Sequence, residues 1–298
     1  MPGTKESRPD SGGFPGHWAG IGWWRGWIAE MSHRSCPYSR QVLIILPPSE
    51  TKRPAPETGP TVEISSLSFP ELDPLRREIV DALIETSERP DALSRLGVGP
   101  SLMGEVARNT DLRELATRPA LEVYSGPLHA GLDAASLPSR AARRAADQLV
   151  VVSALWGALR PADRIPPYRL FICARLVGLD RLEPTWRTVI PEVLANAAGP
   201  RGAVVDLRSP SYQAMGKPTG LKDRTVMLHV RQRGAGGNFV GDAVAKRMRG
   251  EAARYLLESG KDADDPVEVA SILGERWSME LHEPGRPDRP WQITLLVS

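Results

Sequence analysis

Cysteine is scarce in this chain: only Cys36 and Cys173 occur in 298 residues, with no metal-type spacing and no Cys-x-x-Cys pattern. A disulfide-built scaffold is therefore excluded, and so is a zinc ribbon. The histidines (His17, His33, His129, His229 and His282) are scattered, with no His-x-x-x-His pair, so no metal site is expected. Long apolar runs are missing as well. Val42 to Leu46 and Leu149 to Val152 are strand-length, which leaves nothing to span a membrane. A charge excess of one sign is absent too: 38 Lys plus Arg stand against 36 Asp plus Glu, a net charge of +2. Any anion-binding surface must then arise by local clustering. No Gly-x-Ser-x-Gly nucleophile elbow and no Walker A loop occurs, because Ser49-Glu50-Thr51-Lys52 lacks the glycines that let amides cradle phosphates. These absences leave an ordinary globular protein with no cofactor signature, and a cytoplasmic location is the expectation.

What is present is unevenly distributed. Residues 1–40 hold seven of the 27 glycines and four of the eight tryptophans, Trp18, Trp23, Trp24 and Trp27. They make a poor signal peptide and are expected to be a disordered extension ahead of one domain over 41–298. Within that domain the apolar pattern alternates between strand and helix. Val42 to Leu46 reads as a buried strand stopped by Pro47-Pro48. Helices are expected over 74–88, 90–96, 100–108, 139–148, 184–197 and 242–258, and strands over 149–153, 203–207 and 225–230. Trp277 to His282 and Trp291 to Val297 read as a hairpin. The expectation is an α/β fold: a mixed sheet flanked by helices, with antiparallel additions near the C-terminus.

Polar clusters follow the buried strands: Ser49 and Lys52 after the first, Arg160, Asp163, Tyr168 and Arg169 after the second, Ser209 and Tyr212 after the third. Ligands of α/β sheets bind beyond the carboxyl ends of strands, and these residues supply donors and positive charge suited to a phosphate. On the 242–258 helix, Val244, Met248, Ala252 and Tyr255 are expected to form the apolar face. Lys246 and Arg249 would then point the other way, near a mid-helix Gly250 that marks a close approach by backbone or ligand. The turn Gly97-Val98-Gly99-Pro100 between two short helices fits a helix-hairpin-helix, whose glycine amides bind DNA phosphates. A helix C-cap explains the same letters. Cys173 reads as a buried structural cysteine.

Several stretches together resemble the YaaA family: Val42 to Lys52, Pro119 to Gly126 with Gly131-Leu132-Asp133, Ser153 to Leu170 (above all Trp156-Gly157-Ala158-Leu159-Arg160-Pro161 and Pro167-Tyr168-Arg169-Leu170), Asp206 to Tyr212 and Lys246 to Gly250. The resemblance implies a role in surviving peroxide stress through lowered free iron. It also implies a single-domain α/β fold with a helix-hairpin-helix-like element and a positively charged cleft that binds DNA. By matching position, Lys52, Arg160, Arg169, Lys246 and Arg249 would line that cleft. The first loop, Leu46-Pro47-Pro48-Ser49-Glu50-Thr51-Lys52, departs from the commoner family pattern. Two functions follow as expectations: a DNA-binding protective protein, or an enzyme acting on a nucleotide or nucleic-acid base, with Ser49, Asp163, Tyr168 and Tyr212 as candidate catalytic groups.

Overall fold

In the computed structural model the described residues are 41–179, 181–232, 240–286 and 289–297. The expected extension over 1–40, including Cys36, lies outside them. The chain builds strands β1 (Leu43–Leu46), β2 (Arg118–Pro119), β3 (Leu149–Ser153), β4 (Gly157–Leu159), β5 (Arg164–Ile165), β6 (Val204–Asp206), β7 (Thr225–Gln232), β8 (Met279–His282) and β9 (Trp291–Val297). The helices are α1 (Asp73–Glu88), α2 (Ala92–Leu96), α3 (Met103–Ala107), α4 (Ala120–Val123), α5 (Pro127–Leu132), α6 (Ser139–Gln148), α7 (Leu182–Arg187), α8 (Ile190–Ala198), α9 (Pro210–Gln213), α10 (Asp242–Ser259) and α11 (Pro266–Gly274).

Seven strands form one sheet in the order β4-β3-β1-β6-β7-β9-β8. Strands β3, β1, β6, β7 and β9 run parallel, and antiparallel β4 and β8 close the two edges. The fully buried sequences of β1 and β3 are what a parallel sheet covered on both faces demands. The expected C-terminal hairpin is the β8–β9 pair, and β2–β5 is a separate small ribbon. Strand β1 holds the topological switch. Its connection leads to β3 on one side, whereas that of β6, its other neighbour, leads away to β7. A crevice therefore opens between the carboxyl ends of β1 and β6, the usual position for a ligand in such a sheet.

Helix α10 packs on α5, α6, α11 and β7. Its buried face is Gly250, Ala252, Ala253, Leu256 and Leu257. The expected apolar face is thus rotated: Val244 is exposed and only Ala252 of the expected set is buried. Gly250 does mark a close approach. A Cβ there would lie 2.7 Å from the Leu132 nitrogen, and closer still to the Leu128 carbonyl oxygen on α5.

Candidate functional site at the β1–β6 switch point

Past Leu46 the chain cannot continue as strand, because Pro47-Pro48 supplies no ladder N–H. The next residues fasten onto the segment entering α5. Lys52 forms an antiparallel bridge with Tyr124, Arg53 N donates to Val123 O (2.8 Å), and Ser125 N donates to Thr51 O (3.2 Å). Ser49 is buried against the bare backbone of Gly126. Its carbonyl accepts from Lys52 Nζ at 2.9 Å, and that ammonium sits 4.2 Å from the centre of the Tyr168 ring. Burial lowers the Lys52 pKa to about 8. The charge of Arg169 acts in the same direction, while Glu50 and Glu105 oppose it.

Beneath the lysine runs a chain of hydroxyls. Ser153, the last residue of β3, accepts from the amides of Leu155 (3.2 Å) and Trp156 (3.0 Å). With both lone pairs engaged, its own proton goes to Tyr168 OH at 2.8 Å, and Tyr168 then donates to Tyr124 OH at 3.0 Å. Burial pushes the Tyr124 pKa to about 12 and that of Tyr168 well above the ordinary value, so both phenols stay protonated. His129, on α5, has its ring 5.2 Å from that of Tyr124. Burial foremost, and then the charge of Lys52, draws its pKa down to about 4. A neutral imidazole that donates from Nε2 to Pro47 O (3.2 Å) leaves Nδ1 as an acceptor, and this buried Nδ1 meets no partner among the described residues.

Cations gather above this layer. A cleft of about 130 Å³ is lined by Lys52, Arg53, Pro54, Glu105, Arg108, Pro167 and Tyr168. Arg53 and Arg108 are exposed at its rim. Arg169 bridges Glu50 (3.2 Å) and Glu105 (3.7 Å), and Asn109 clamps its backbone with two hydrogen bonds. Tyr212 is buried with its ring 6.4 Å from Phe171, and burial together with Glu50 and Tyr124 raises its pKa. Half-buried Ser209 precedes α9, where its carbonyl accepts from the amides of Tyr212 and Gln213. The loops after β1 and β6 therefore meet over the crevice.

Other expected site residues are placed elsewhere. Arg160 lies at the opposite end of the sheet, because antiparallel β4 carries the chain back along β3. Its guanidinium donates to Asp147 O (2.5 Å) and Leu149 O (3.2 Å) and stacks over Phe69. Asp163 accompanies it, accepting from Arg160 N and from the amide and hydroxyl of Ser68. Both fix a loop, and neither meets Lys52. At the glycine turn, Gly97 is left-handed (φ 66°) and its amide donates to Ser94 O, while Val98 N donates to Leu93 O. These are the two bonds of a Schellman cap, so those amides are not offered to a phosphate. Gly99 beside them is extended, with open space around it. Lys246 pairs with Asp242 at 2.6 Å on the first turns of α10. Arg249 is half-buried near Asp206 at the end of β6, and its Nε has no acceptor among the described residues. Asp206 itself is held by Arg208 through two bonds of 2.9 and 2.7 Å. Cys173 is exposed, contrary to the expected buried cysteine.

Sequence reading missed His129, Tyr124, Ser153, Glu105 and Arg108 as members of this site. Tyr124 and Ser153 stand inside family-like segments, but nothing in local spacing singles out the others. Among the described residues no group of three or more metal-ligating side chains is found, and no helix is long and apolar enough to cross a membrane.

A family model described as peroxide stress protein YaaA matches residues 42–280. A UPF0246 protein of Streptomyces coelicolor is 40% identical over 263 residues, covering 86% of this chain and 98% of that protein. A UPF0246 protein of Corynebacterium efficiens is 38% identical over 262 residues, covering 86% of this chain and 100% of its own. The family match takes in strands β1 to β7, the crevice and the helices around it, and the chain belongs to the YaaA peroxide stress protein family.

Proposed function

We propose that this protein serves in the response to peroxide by binding DNA through the cation-lined crevice, and so helps limit iron-driven oxidative damage. The observation that carries this reading is the convergence of Lys52, Arg53, Arg108 and Arg169 from three separate stretches of a chain whose net charge is only +2. Exposed arginines at a rim suit phosphate oxygens, which position a duplex without reading its sequence. The peroxide-stress family supplies the setting for the protective role.

Fluorescence anisotropy of a labelled duplex at two salt concentrations tests it. Affinity is expected to fall with salt as counterions are released. Arg53→Ala and Arg108→Ala, both at exposed positions, are each expected to lower the salt slope by about one. Absent binding at low salt, or a double variant that binds like wild type, refutes the reading.

A second reading is an enzyme acting on a nucleotide or base. It is favoured by the Ser153–Tyr168–Tyr124 chain and the neutral His129 under the cleft, groups that backbone binding alone does not require. Ser49, Tyr168 and Tyr212 remain beside the crevice for such a role, and Asp163 does not. Turnover of a nucleotide panel that is lost in Tyr168→Phe would favour it over DNA binding.

A further inference from the structure

Lys52 differs from the arginines around it. Among the described residues no carboxylate lies within ion-pair distance of its ammonium: Glu50 and Glu105, the nearest acids, are both turned to Arg169. The amine is instead held by the Ser49 carbonyl against the face of Tyr168, and it lines the cleft. A lysine placed only to attract phosphate is best left hydrated and fully charged. Enclosure of this one in a desolvated pocket makes its neutral, nucleophilic form accessible near pH 8. The rim arginines and the inner lysine thus divide the work: Arg53 and Arg108 face solvent where a phosphodiester would lie, and the amine waits below.

We propose that Lys52 is a nucleophile that captures the open-chain aldehyde of an abasic deoxyribose in DNA held at this cleft, forming a carbon–nitrogen double bond. This rests on the DNA-binding reading above. The Nζ lone pair adds to the aldehyde carbon, and the carbonyl oxygen then departs as water, taking the two protons of the neutral amine. No oxidant or reductant is consumed, and return of water releases both partners. Transfer of protons from nitrogen to the departing oxygen needs neutral groups that accept and donate. The amine lies over the ring of Tyr168, whose hydroxyl bonds that of Tyr124, and His129 with its unpartnered Nδ1 packs beside the Tyr124 ring. Tyr168 and the prolines at 54 and 167 leave little space beneath the rim, which suits a sugar without its base better than an intact nucleotide. Loss of bases is a common product of oxidative attack on DNA, which agrees with membership of a peroxide-stress family.

Borohydride trapping with the full chain tests the step. A labelled duplex carrying one abasic site is incubated with protein and cyanoborohydride, beside the intact duplex, and binding of both is followed by anisotropy. The expected result is a covalent adduct with the abasic duplex alone, mapped by peptide mass spectrometry to Lys52, with a yield that rises toward pH 8. Lys52→Arg, which keeps the charge, is expected to lose trapping by roughly 100-fold when adduct yield is normalised to the fraction of duplex bound. Salt-sensitive binding of the abasic duplex without an adduct overturns the covalent step and leaves DNA binding standing. Neither binding nor adduct overturns both readings. An adduct that maps elsewhere, or persists in Lys52→Arg, removes Lys52 as the nucleophile.

Discussion

Replacing Gly250 by alanine tests how closely α5 and α10 cross. At an ordinary helix interior this change stabilises by about 1 kcal/mol, because glycine loses more backbone freedom on folding. Here the added methyl would sit 2.7 Å from the Leu132 nitrogen and 2.9 Å from the Leu128 carbonyl carbon. Both are backbone atoms and cannot rotate away, so the two helices must part. Relief of such overpacking costs typically 1–3 kcal/mol, and backbone contact on two sides puts this site near 3 kcal/mol. The propensity gain offsets part of that, leaving a net loss of about 2 kcal/mol. For a domain of this size the melting midpoint should fall by about 4–8 °C. Gly104→Ala is the matched control. It also lies in a helix, but nothing stands within 4 Å of the added carbon, and the midpoint should hold or rise by about 2–4 °C. Both variants are read by circular dichroism melting under one buffer and scan rate. A Gly250→Ala protein that melts at or above wild type, in step with Gly104→Ala, refutes the close crossing.

Arg208→Met strands Asp206 as a buried unpaired carboxylate, a loss of about 3–5 kcal/mol. The urea midpoint should drop sharply and recover in part when Asp206→Asn is added; no recovery would show that Arg208 acts through its bonds to Tyr212 O and Gly216 O instead. His129 is held neutral, with a pKa of about 4 against 6.5 for an ordinary histidine. Between those values the unfolded chain takes up a proton that the folded one refuses, so stability is lost as pH falls from 6.5 toward 4. The urea midpoint of wild type should fall more steeply over that window than that of His129→Gln, and parallel profiles would disprove the shift. Arg160→Ala should lower the melting midpoint by removing its bonds to Asp147 and Leu149. Duplex affinity and salt slope should stay as in wild type; a weaker complex would return Arg160 to the binding surface.

Much of the scaffold is written locally. Leu43 to Leu46 and Leu149 to Val152 are continuous apolar runs, and a strand covered on both faces buries every residue of such a run. Ser139 to Gln148 carries a clean helical pattern that ends where β3 begins. Several of the elements that escaped have little stability of their own. Helix α5 is six residues long, and β2 and β5 are two residues each. They persist because α10, and each ribbon strand's own partner, hold them. The expected 184–197 helix is broken into α7 and α8 at Thr188-Val189, just ahead of Pro191.

The candidate site divides along the same line. Sequence alone determined the family, the buried strands and the presence of Ser49, Lys52 and Tyr212 near strand ends, because a loop that follows a parallel strand must emerge at its carboxyl end; Tyr168 and Arg169 come after the chain has turned back along β4, and the tertiary structure returns them to the crevice. Sequence could not say where Arg160 goes. Ala154 to Trp156 reads like one more exit loop, but it is a tight turn into antiparallel β4, and three residues of return place Arg160 beside Leu149. Nor could it bring His129 to Pro47, or Glu105 and Arg108 to Lys52. Those contacts join residues more than fifty positions apart, and they are set by the α5–α10 crossing and by the strand order around β1. Charge on a side chain is a local property. Whether it is solvated, paired or enclosed depends on what the fold packs against it, and only the tertiary structure decided that for Lys52.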